Sequence, residues 1–297
     1  MRIGVTGASG MLGNALLQQL SKSYEIFATS RNIGLLGKNI NWECFDLTNL
    51  DLLKVWLDKN NFDIVIHCAA IVDVDFCEEN IDMSKDLHVE TTKIISNYMQ
   101  SSRGKLIYIS TDSVFDGKKS GKYNETENTN PLNVYAKTKL QGEQKVLCVD
   151  SGLVLRTNII GWTNKNKTSF FEWLLENLIK KNDIKLFDDV YFSPLTVHDL
   201  SLIIEYILIN PIYGLYNCAN SESISKYDFA LKVCEVFNLS SSEISRVSVN
   251  TMNFKAKRPK NMGLDVSKLT NDLMYNLPNI IDSIKSMESH YKEVKNF

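Results

Sequence analysis

A glycine-rich segment near the start of the chain, GVTGASGMLG, constrains the fold more than any other feature. It places Gly7, Gly10 and Gly13 three residues apart, after a strand-like run and at the opening of a helix-like one. Gly7 allows a tight turn, Gly10 lets the backbone approach a pyrophosphate, and Gly13 lets the helix pack closely on the strand. The N–H groups of the helix N-terminus, around Met11 and Leu12, then face the phosphates. The context favours a dinucleotide site over a plain glycine-rich turn.

The first half of the chain alternates short apolar runs with amphipathic stretches. Candidate strands are RIGVTG, YEIFATS, IVIHCAA, KLIYIST and GLVLRTNIIG, with helical patterns such as NLDLLKVWLDKN between them. Strands that alternate with helices predict a parallel sheet with helices on both faces. Runs such as IVIH are apolar throughout, as strands buried on both faces tend to be. The predicted class is α/β, a Rossmann-type doubly wound parallel sheet with a smaller α/β substrate-binding C-terminal domain.

The length of 297 residues is near the upper limit for a single core, which favours two lobes. After about residue 155 the strand–helix pattern becomes less regular. We predict a dinucleotide-binding domain over 1–155 and a smaller substrate domain over 156–297. The segment 193–219 is predicted to return to the first domain.

Composition argues against several classes of protein. The formal net charge is −2, which argues against nucleic-acid or membrane-surface binding, since such functions usually show as basic clustering. No apolar run approaches the roughly 18 residues that cross a bilayer. The start, MRIGVTG, is typical of a strand and not of a leader peptide. Six cysteines without a CxxC and four scattered histidines indicate reduced thiols, a cytoplasmic protein and no metal centre.

The type of dinucleotide is decided at the end of the second strand. The sequence there is ATSRN, which lacks the carboxylate that would bind the ribose 2′-hydroxyl of NAD. Ser30 and Arg31 are predicted to hold a 2′-phosphate instead, Arg31 through charge-assisted hydrogen bonds. The alternative is that Arg31 is a solvated loop residue. NADP(H) is therefore the preferred cofactor, with NAD(H) as the alternative.

Two further segments fit a dinucleotide site. Asp46, next to Leu47 in FDLTN, follows a third short strand and is predicted to hydrogen-bond the adenine. In HCAA, at the end of the fourth strand, Cys68, Ala69 and Ala70 are small enough for the cofactor to lie against the backbone. For HCAA alone, a close-packed strand end is the competing interpretation.

Tyr135 and Lys139 stand four residues apart in VYAKTKLQGE, at helical spacing. One such pair is expected by chance, and we assign chance to the second one, Tyr291 and Lys295. The first pair follows a strand that ends at Thr111, at the edge where a doubly wound sheet binds its ligand. A lysine beside a tyrosine favours the phenolate and is expected to lower the tyrosine pKa. Tyr135 would then protonate a carbonyl while a nicotinamide delivers hydride.

These segments resemble the extended short-chain dehydrogenase/reductase family, most closely its dTDP-4-dehydrorhamnose reductase group. The similar pieces occur in order over nearly the whole chain: GASGMLG, DLTN, STDSVFDG, YNETENTNPLNVYAKTKLQGE, LRTNIIG and RPKNMGLDVSKL. The resemblance implies a Thr–Tyr–Lys triad on Thr111, Tyr135 and Lys139, with Lys139 also holding the nicotinamide ribose. It implies reduction of nucleoside-diphosphate 4-keto-6-deoxysugars at C4.

Three positions depart from the family pattern. Ser113 stands where the family has a tyrosine, His88 where it has an asparagine, and Ile159 where it has a tryptophan, although Trp162 is close by. Ser113, Asn158 and Ile159 are predicted to contact the sugar. These departures leave the triad intact but leave the sugar open.

A short basic run, KAKRPK, includes Arg258, which is predicted to meet the diphosphate of a nucleotide sugar. A solvated loop is the alternative. The acidic cluster of Asp73, Asp75, Glu78 and Glu79 is predicted to be a solvated loop and first helical turn, not a cation site. The helix DLHVETTKIISNYMQ is the expected homodimer contact.

Two other functions remain open. A nucleotide-sugar epimerase or dehydratase would need a further acid near the sugar, and the segment TDSVF offers Asp112 without a second carboxylate. A non-catalytic NADP-binding regulatory subunit would keep the fold and the cofactor without turnover.

Overall fold

The computed structural model describes residues 1–163, 168–252 and 254–295. The described strands are β1 (Arg2–Thr6), β2 (Glu25–Ser30), β3 (Ile40–Cys44), β4 (Ile64–His67), β5 (Lys105–Thr111), β6 (Gly152–Thr157), β7 (Ile159–Ile160), β8 (Ile184–Phe187), β9 (Tyr191–Phe192), β10 (Leu195–Thr196), β11 (Gly214–Asn217), β12 (Ile224–Ser225), β13 (Ile244–Val247) and β14 (Asn261–Met262). The described α-helices are α1 (Met11–Leu20), α2 (Leu50–Asn60), α3 (Val74–Glu79), α4 (Ile81–Lys85), α5 (Thr91–Ser102), α6 (Val134–Val146), α7 (Phe170–Ile179), α8 (Val197–Ile209), α9 (Lys226–Phe237), α10 (Ser267–Leu273) and α11 (Ile280–Lys295).

The central sheet contains seven strands in the order β11-β6-β5-β4-β1-β2-β3. Every neighbouring pair in it is parallel. The chain therefore starts in the middle, builds outward to β3, and then continues from β4 on the other side of β1. In such sheets the ligand crevice opens outside the carboxyl ends of the strands where the order reverses. The predicted Rossmann-type α/β fold is confirmed.

Alternate residues of the central strands enter the two faces of the sheet, as a period of two requires. Ile107 and Ile109 of β5 pack with α1 and α8, in one core. Leu106 and Tyr108 of the same strand pack with α2, α5 and α6, in another. Because both faces are covered by helices, these strands have few polar positions, which explains the continuous apolar runs in the sequence.

The segment after β9 returns to the large sheet. Strand β11 pairs with β6, and α8 packs against α1. Further along, Leu264, Leu269 and Leu273 join the same core as α1. These placements agree with the expected return of 193–219, while the division into domains stays a prediction.

A second group of elements has its own core. Helices α7, α9 and α11 and strands β8, β9 and β13 contribute to it, with Phe171, Phe192 and Phe229 fully buried. Helix α7 begins with a capping box between Ser169 and Glu172. Within the described ranges, no helix combines the length and the apolar character needed to cross a membrane.

Candidate active site

The glycine-rich turn joins β1 to α1 and has no room for side chains. Gly7 has φ +64°, and a Cβ atom there would lie 2.7 Å from the backbone of Ala69. A Cβ on Gly13 would lie 2.4 Å from the carbonyl oxygen of Gly7. Gly10 precedes α1 as its N-cap without a side-chain capping bond. The N–H groups at Met11 and beyond are thus available to an anion, so the turn fits a dinucleotide pyrophosphate.

The ends of β2 and β3 carry the residues predicted for the 2′-phosphate and the adenine. The Ser30 hydroxyl donates to the carbonyl of Asn32 at 2.5 Å, while Arg31 is exposed. Asp46 accepts hydrogen bonds from the backbone N–H and the hydroxyl of Thr48, at 2.9 and 2.7 Å. These bonds, together with the nearby Arg31, hold the pKa of Asp46 below its usual value. Among the described residues Arg31 forms no ion pair, so its charge can meet a phosphate, whereas the Ser30 hydroxyl already has a partner.

Leu47 and the HCAA segment differ in burial, since Leu47 is a core residue and HCAA lies at the end of a strand. Leu47 is buried in the core shared by α2 and α5. The N–H of Cys68 donates to the carbonyl of Thr6, so the end of β4 stays against β1. Ala69, which is buried, and Ala70, which is half-buried, continue past Gly7. Small residues are therefore required here by the close approach of the two strand ends, and cofactor contact stays a prediction.

Thr111 and Tyr135 meet at the carboxyl end of β5. Helix α6 begins beside it, because the Asn133 side chain caps the helix by accepting a hydrogen bond from the N–H of Ala136 at 2.9 Å. The Thr111 hydroxyl lies near enough to the Tyr135 phenol to oppose the rise of its pKa. Lys139, one turn later, is buried. Its ammonium donates to the carbonyl of Ile109 at 2.7 Å.

The electrostatics of the pair differ from the expectation. Burial raises the pKa of Tyr135, with the Thr111 hydroxyl as an opposing effect, so the predicted lowering by Lys139 is wrong for this arrangement. The reason is that the phenol is removed from water, while the ammonium of Lys139 donates to the carbonyl of Ile109. Burial also lowers the pKa of Lys139 to about 7. A tyrosine that stays protonated suits a proton donor.

Asp112 gathers polar side chains around Thr111. Its buried carboxylate accepts hydrogen bonds from Asn158 at 2.6 Å and from the hydroxyls of Thr111 and Ser113 at 3.2 Å each. Burial raises the pKa of Asp112, against these hydrogen bonds and the charge of Lys226. Two of the predicted sugar contacts, Ser113 and Asn158, are thus brought beside Thr111, where they also fix Asp112.

The aromatic position near the sugar is not restored by Trp162. That side chain stacks on Tyr291 at a centroid distance of 5.5 Å and meets the edge of Phe171 at 5.4 Å, inside the smaller lobe. Ile159 lies in β7 and packs against the large core. Tyr291 is therefore a packing residue, which agrees with our interpretation that its spacing to Lys295 arose by chance. The side chain of Lys295 lies outside the described residues.

The acidic cluster lies in the loop before α3 and on α3 itself, where Asp73 and Glu79 are exposed as expected, but two of its members also form ion pairs that the sequence did not predict. Asp75 forms an ion pair with Arg258 at 3.0 Å and also accepts a hydrogen bond from the N–H of Ala256 at 2.9 Å. Glu79 pairs with Lys255. Asp73 caps α3. The basic run thus contacts α3, because charges of opposite sign from distant parts of the chain meet here. The contact of Arg258 with a diphosphate stays a prediction.

His88 is a site residue whose contacts the sequence did not reveal. It lies in a π-helical turn, Asp86–Glu90, between α4 and α5. Its ring meets the Tyr135 ring edge-on at 5.9 Å. Burial lowers the pKa of His88 to about 2, which keeps the imidazole neutral. The only signal in the sequence was its departure from the family asparagine.

A family model described as the RmlD substrate binding domain matches residues 1–293. The chain belongs to this family. Among its curated relatives, a dTDP-4-dehydrorhamnose reductase of Aggregatibacter actinomycetemcomitans is 29% identical over 283 residues, or 90% of this chain and 92% of that protein. The beta subunit of methionine adenosyltransferase 2 of Xenopus laevis is 29% identical over 285 residues, or 89% and 80% of the two chains.

Solved structures agree with this membership of the RmlD family. A dTDP-4-dehydrorhamnose reductase of Bacillus anthracis, crystallised with NADP, is 26% identical to this chain and has a TM-score of 0.84. The match covers 97% of this chain and 99% of that one. The predicted family, the dTDP-4-dehydrorhamnose reductase group of the extended short-chain dehydrogenases/reductases, is confirmed.

Proposed function

We propose that this RmlD-family protein is an NADPH-dependent reductase of the C4 keto group of a nucleoside-diphosphate 4-keto-6-deoxyhexose, acting in deoxysugar biosynthesis. One observation carries the proposal. The Thr111 hydroxyl and the Tyr135 phenol lie close together at the carboxyl end of the sheet, with Lys139 one helical turn away. The relatives named as reductases and the neighbour with bound NADP bear out the predicted oxidoreductase class and cofactor.

The residues present fit the cofactor. At Gly7 and Gly13 the absence of a Cβ lets β1 and α1 pack against neighbouring backbone, and the N-terminus of α1 has no side-chain cap, so its N–H groups can face a pyrophosphate. Arg31, exposed at the end of β2, would pair with the 2′-phosphate of NADPH. Lys139 would hold the nicotinamide ribose. When bound, the cofactor supplies the hydride.

The side chains of the triad supply position and a proton. Tyr135, protonated because burial raises its pKa, donates its proton to the oxygen at C4 as that oxygen gains charge. Thr111 is held by Asp112 and shares the same substrate oxygen. The phenolate left on Tyr135 is stabilised by the ammonium of Lys139. Burial thus keeps Tyr135 in the protonated form that the reductive step requires.

The test is NADPH oxidation with dTDP-, UDP-, GDP- and CDP-linked 4-keto-6-deoxy sugars, with NADH in parallel. Turnover with one of them identifies the nucleotide of the substrate. The ratio of the rates with NADPH and NADH tests whether Arg31 binds the 2′-phosphate. Tyr135→Phe is expected to lower kcat roughly 100-fold or more without loss of NADPH binding. Tyr291→Phe, which changes the other Tyr–Lys pair, is the matched control and should keep the rate. Retention of the rate within about threefold in Tyr135→Phe would remove Tyr135 as the acid.

A regulatory subunit is the second candidate, because one curated relative is a methionine adenosyltransferase beta subunit. Tight NADPH binding without turnover of any nucleotide sugar would favour it. The assembled Thr111–Tyr135 pair favours the enzyme. An epimerase or dehydratase would give product without net NADPH oxidation, but Ser113 occupies the place where a second carboxylate would serve it.

We also propose a cytoplasmic protein whose partner is the nucleotide-linked sugar, with no nucleic acid or membrane partner. A homodimer through α5 is the oligomer we expect. Light scattering of the purified chain tests this, and a monomer at micromolar concentration would exclude the dimer.

A further inference from the structure

Lys226 is a cation in the crevice that the triad does not use. It is the first residue of α9, after the capping residue Ser225. Its ammonium lies 3.2 Å from the ring centroid of Phe192 and 4.3 Å from that of Phe170. Among the described residues, this ammonium has no hydrogen-bond acceptor and no carboxylate at salt-bridge distance. The side chain is half-buried, so a ligand can still reach it.

The ammonium lies near the catalytic end of β5, because Phe192 beneath it pairs with Met262, whose sulfur lies 3.8 Å from the hydroxyl of Ser113. Asp112 is the group whose charge acts on Lys226, and Lys226 in turn acts on Asp112. Asp112 follows Thr111 directly and accepts its hydroxyl. A sugar held with C4 at Thr111 therefore has its far side toward the lobe that carries Lys226.

An ammonium in this position is costly without an anion. Removing a charged group from water is unfavourable unless it is paired and hydrogen-bonded, and two aromatic faces compensate only in part. Burial accordingly lowers the pKa of Lys226 to about 7, with Asp112 opposing the change. Three N–H donors thus remain to be satisfied, and a phosphate group offers both the charge and the oxygens.

Other cations near this part of the smaller lobe already have partners. Arg258 is paired with Asp75, and Lys260 with Asp189 at 2.9 Å. Among the described residues, Lys226 thus differs from Arg258 and Lys260 in having no ion pair, and its charge is available to a ligand. We propose that Lys226 binds the diphosphate of the nucleotide-sugar substrate, a role that deepens the proposed function and rests on it.

The test measures binding, so it does not depend on turnover. Calorimetry of the NADPH-loaded protein compares thymidine with dTDP, and uridine, guanosine and cytidine with their diphosphates. The wild type should bind the diphosphate of its preferred base at least about 10-fold tighter than the nucleoside, as expected for hydrogen bonds to a charged group. Lys226→Met should lose that advantage and leave nucleoside binding unchanged. Lys226→Arg should restore most of it.

Lys232→Met is the matched control, because Lys232 lies on the same helix and pairs with Glu235 at the surface. It should bind every ligand as the wild type does. Thermal melting of each variant checks the fold. If Lys226→Met is unstable, Lys226→Gln is compared with Lys226→Arg instead. The variant that loses the charge should then bind the diphosphate more weakly than the variant that keeps it.

The outcomes separate this inference from the proposed function. Suppose that no 4-keto sugar causes NADPH oxidation, while Lys226→Met removes the tighter binding of the diphosphate over the nucleoside. That result would reject the proposed reductase activity and keep the binding role of Lys226. Normal turnover with an unchanged diphosphate advantage in Lys226→Met would reject the binding role and keep the reductase. A raised KM for the nucleotide sugar with unchanged diphosphate binding would overturn the inference in favour of a sugar contact.

Discussion

The Nδ1 atom of His88 lies 2.8 Å from the hydroxyl oxygen of Thr138, on the helix that carries Tyr135. On the other side of the ring, Nε2 accepts a hydrogen bond from the N–H of Ile71 at 2.9 Å. Because Nε2 is the acceptor, Nδ1 carries the proton and donates it to Thr138. One neutral imidazole thus connects the segment after Ala70, expected at the cofactor, to the catalytic helix.

His88→Ala should therefore affect both binding and catalysis. The buried N–H of Ile71 would lose its acceptor, which costs about 1–3 kcal/mol of stability. A shifted Tyr135 should lower kcat about 10-fold or more, since small misplacements are costly at a reacting centre. His88→Asn, which can keep one of the two partners, should lose less. His198→Ala, at an exposed position, is the control, and equal kcat and unfolding free energy for both alanine variants would deny His88 this positioning role.

The ion pair beneath the site predicts a large stability effect. Glu143 and Arg156 approach to 2.7 Å with side chains only 1% and 4% exposed, and Ser110 donates to the same carboxylate. Arg156→Met should cost about 3–5 kcal/mol of unfolding free energy, because it leaves a buried carboxylate unpaired. The double variant with Glu143→Gln should recover part of this loss. Urea titration of the four proteins measures the coupling, and strictly additive losses would contradict it.

Acid should destabilise the protein through two buried histidines. Burial lowers the pKa of His67 to about 3 and that of His88 to about 2, against 6.5 for the free side chain. The unfolded chain therefore binds more protons below pH 6.5, so this stability is complete above 6.5 and is lost as pH falls toward 3. Each histidine should contribute a slope of about 1.4 kcal/mol per pH unit within that window. Urea unfolding at pH 7, 6 and 5 measures it, and His67→Gln should reduce the slope.

The docked basic run predicts a change in substrate affinity. If Arg258 meets the diphosphate, its ion pair with Asp75 competes with the substrate. Asp75→Asn should then lower KM for the nucleotide sugar a few-fold, while Arg258→Met should raise it, both with kcat nearly unchanged. Steady-state kinetics at two salt concentrations measures this. If both variants alter only the melting temperature, the pair is structural.

The sequence predicted what depends on local patterns. The glycine spacing and the apolar runs predicted the parallel sheet. The position of Tyr135 in the helix that follows Thr111 predicted that these two residues lie close together. It did not predict contacts between distant charges, such as Asp75 with Arg258, because nothing in either segment specifies its partner. Nor did it predict the raised pKa of Tyr135, since this depends on how far the folded chain removes the phenol from water.

The path of the chain between its two cores has an evolutionary consequence. The chain builds the large core with the elements before β7, then with α8 and β11, and finally with α10. The small core is built from α7, α9 and α11, which alternate with those segments along the chain. No single crossover within the gene exchanges one core and leaves the other intact. Relatives that act on different sugars are therefore expected to have diverged by substitutions lining the crevice, and not by the shuffling of whole modules.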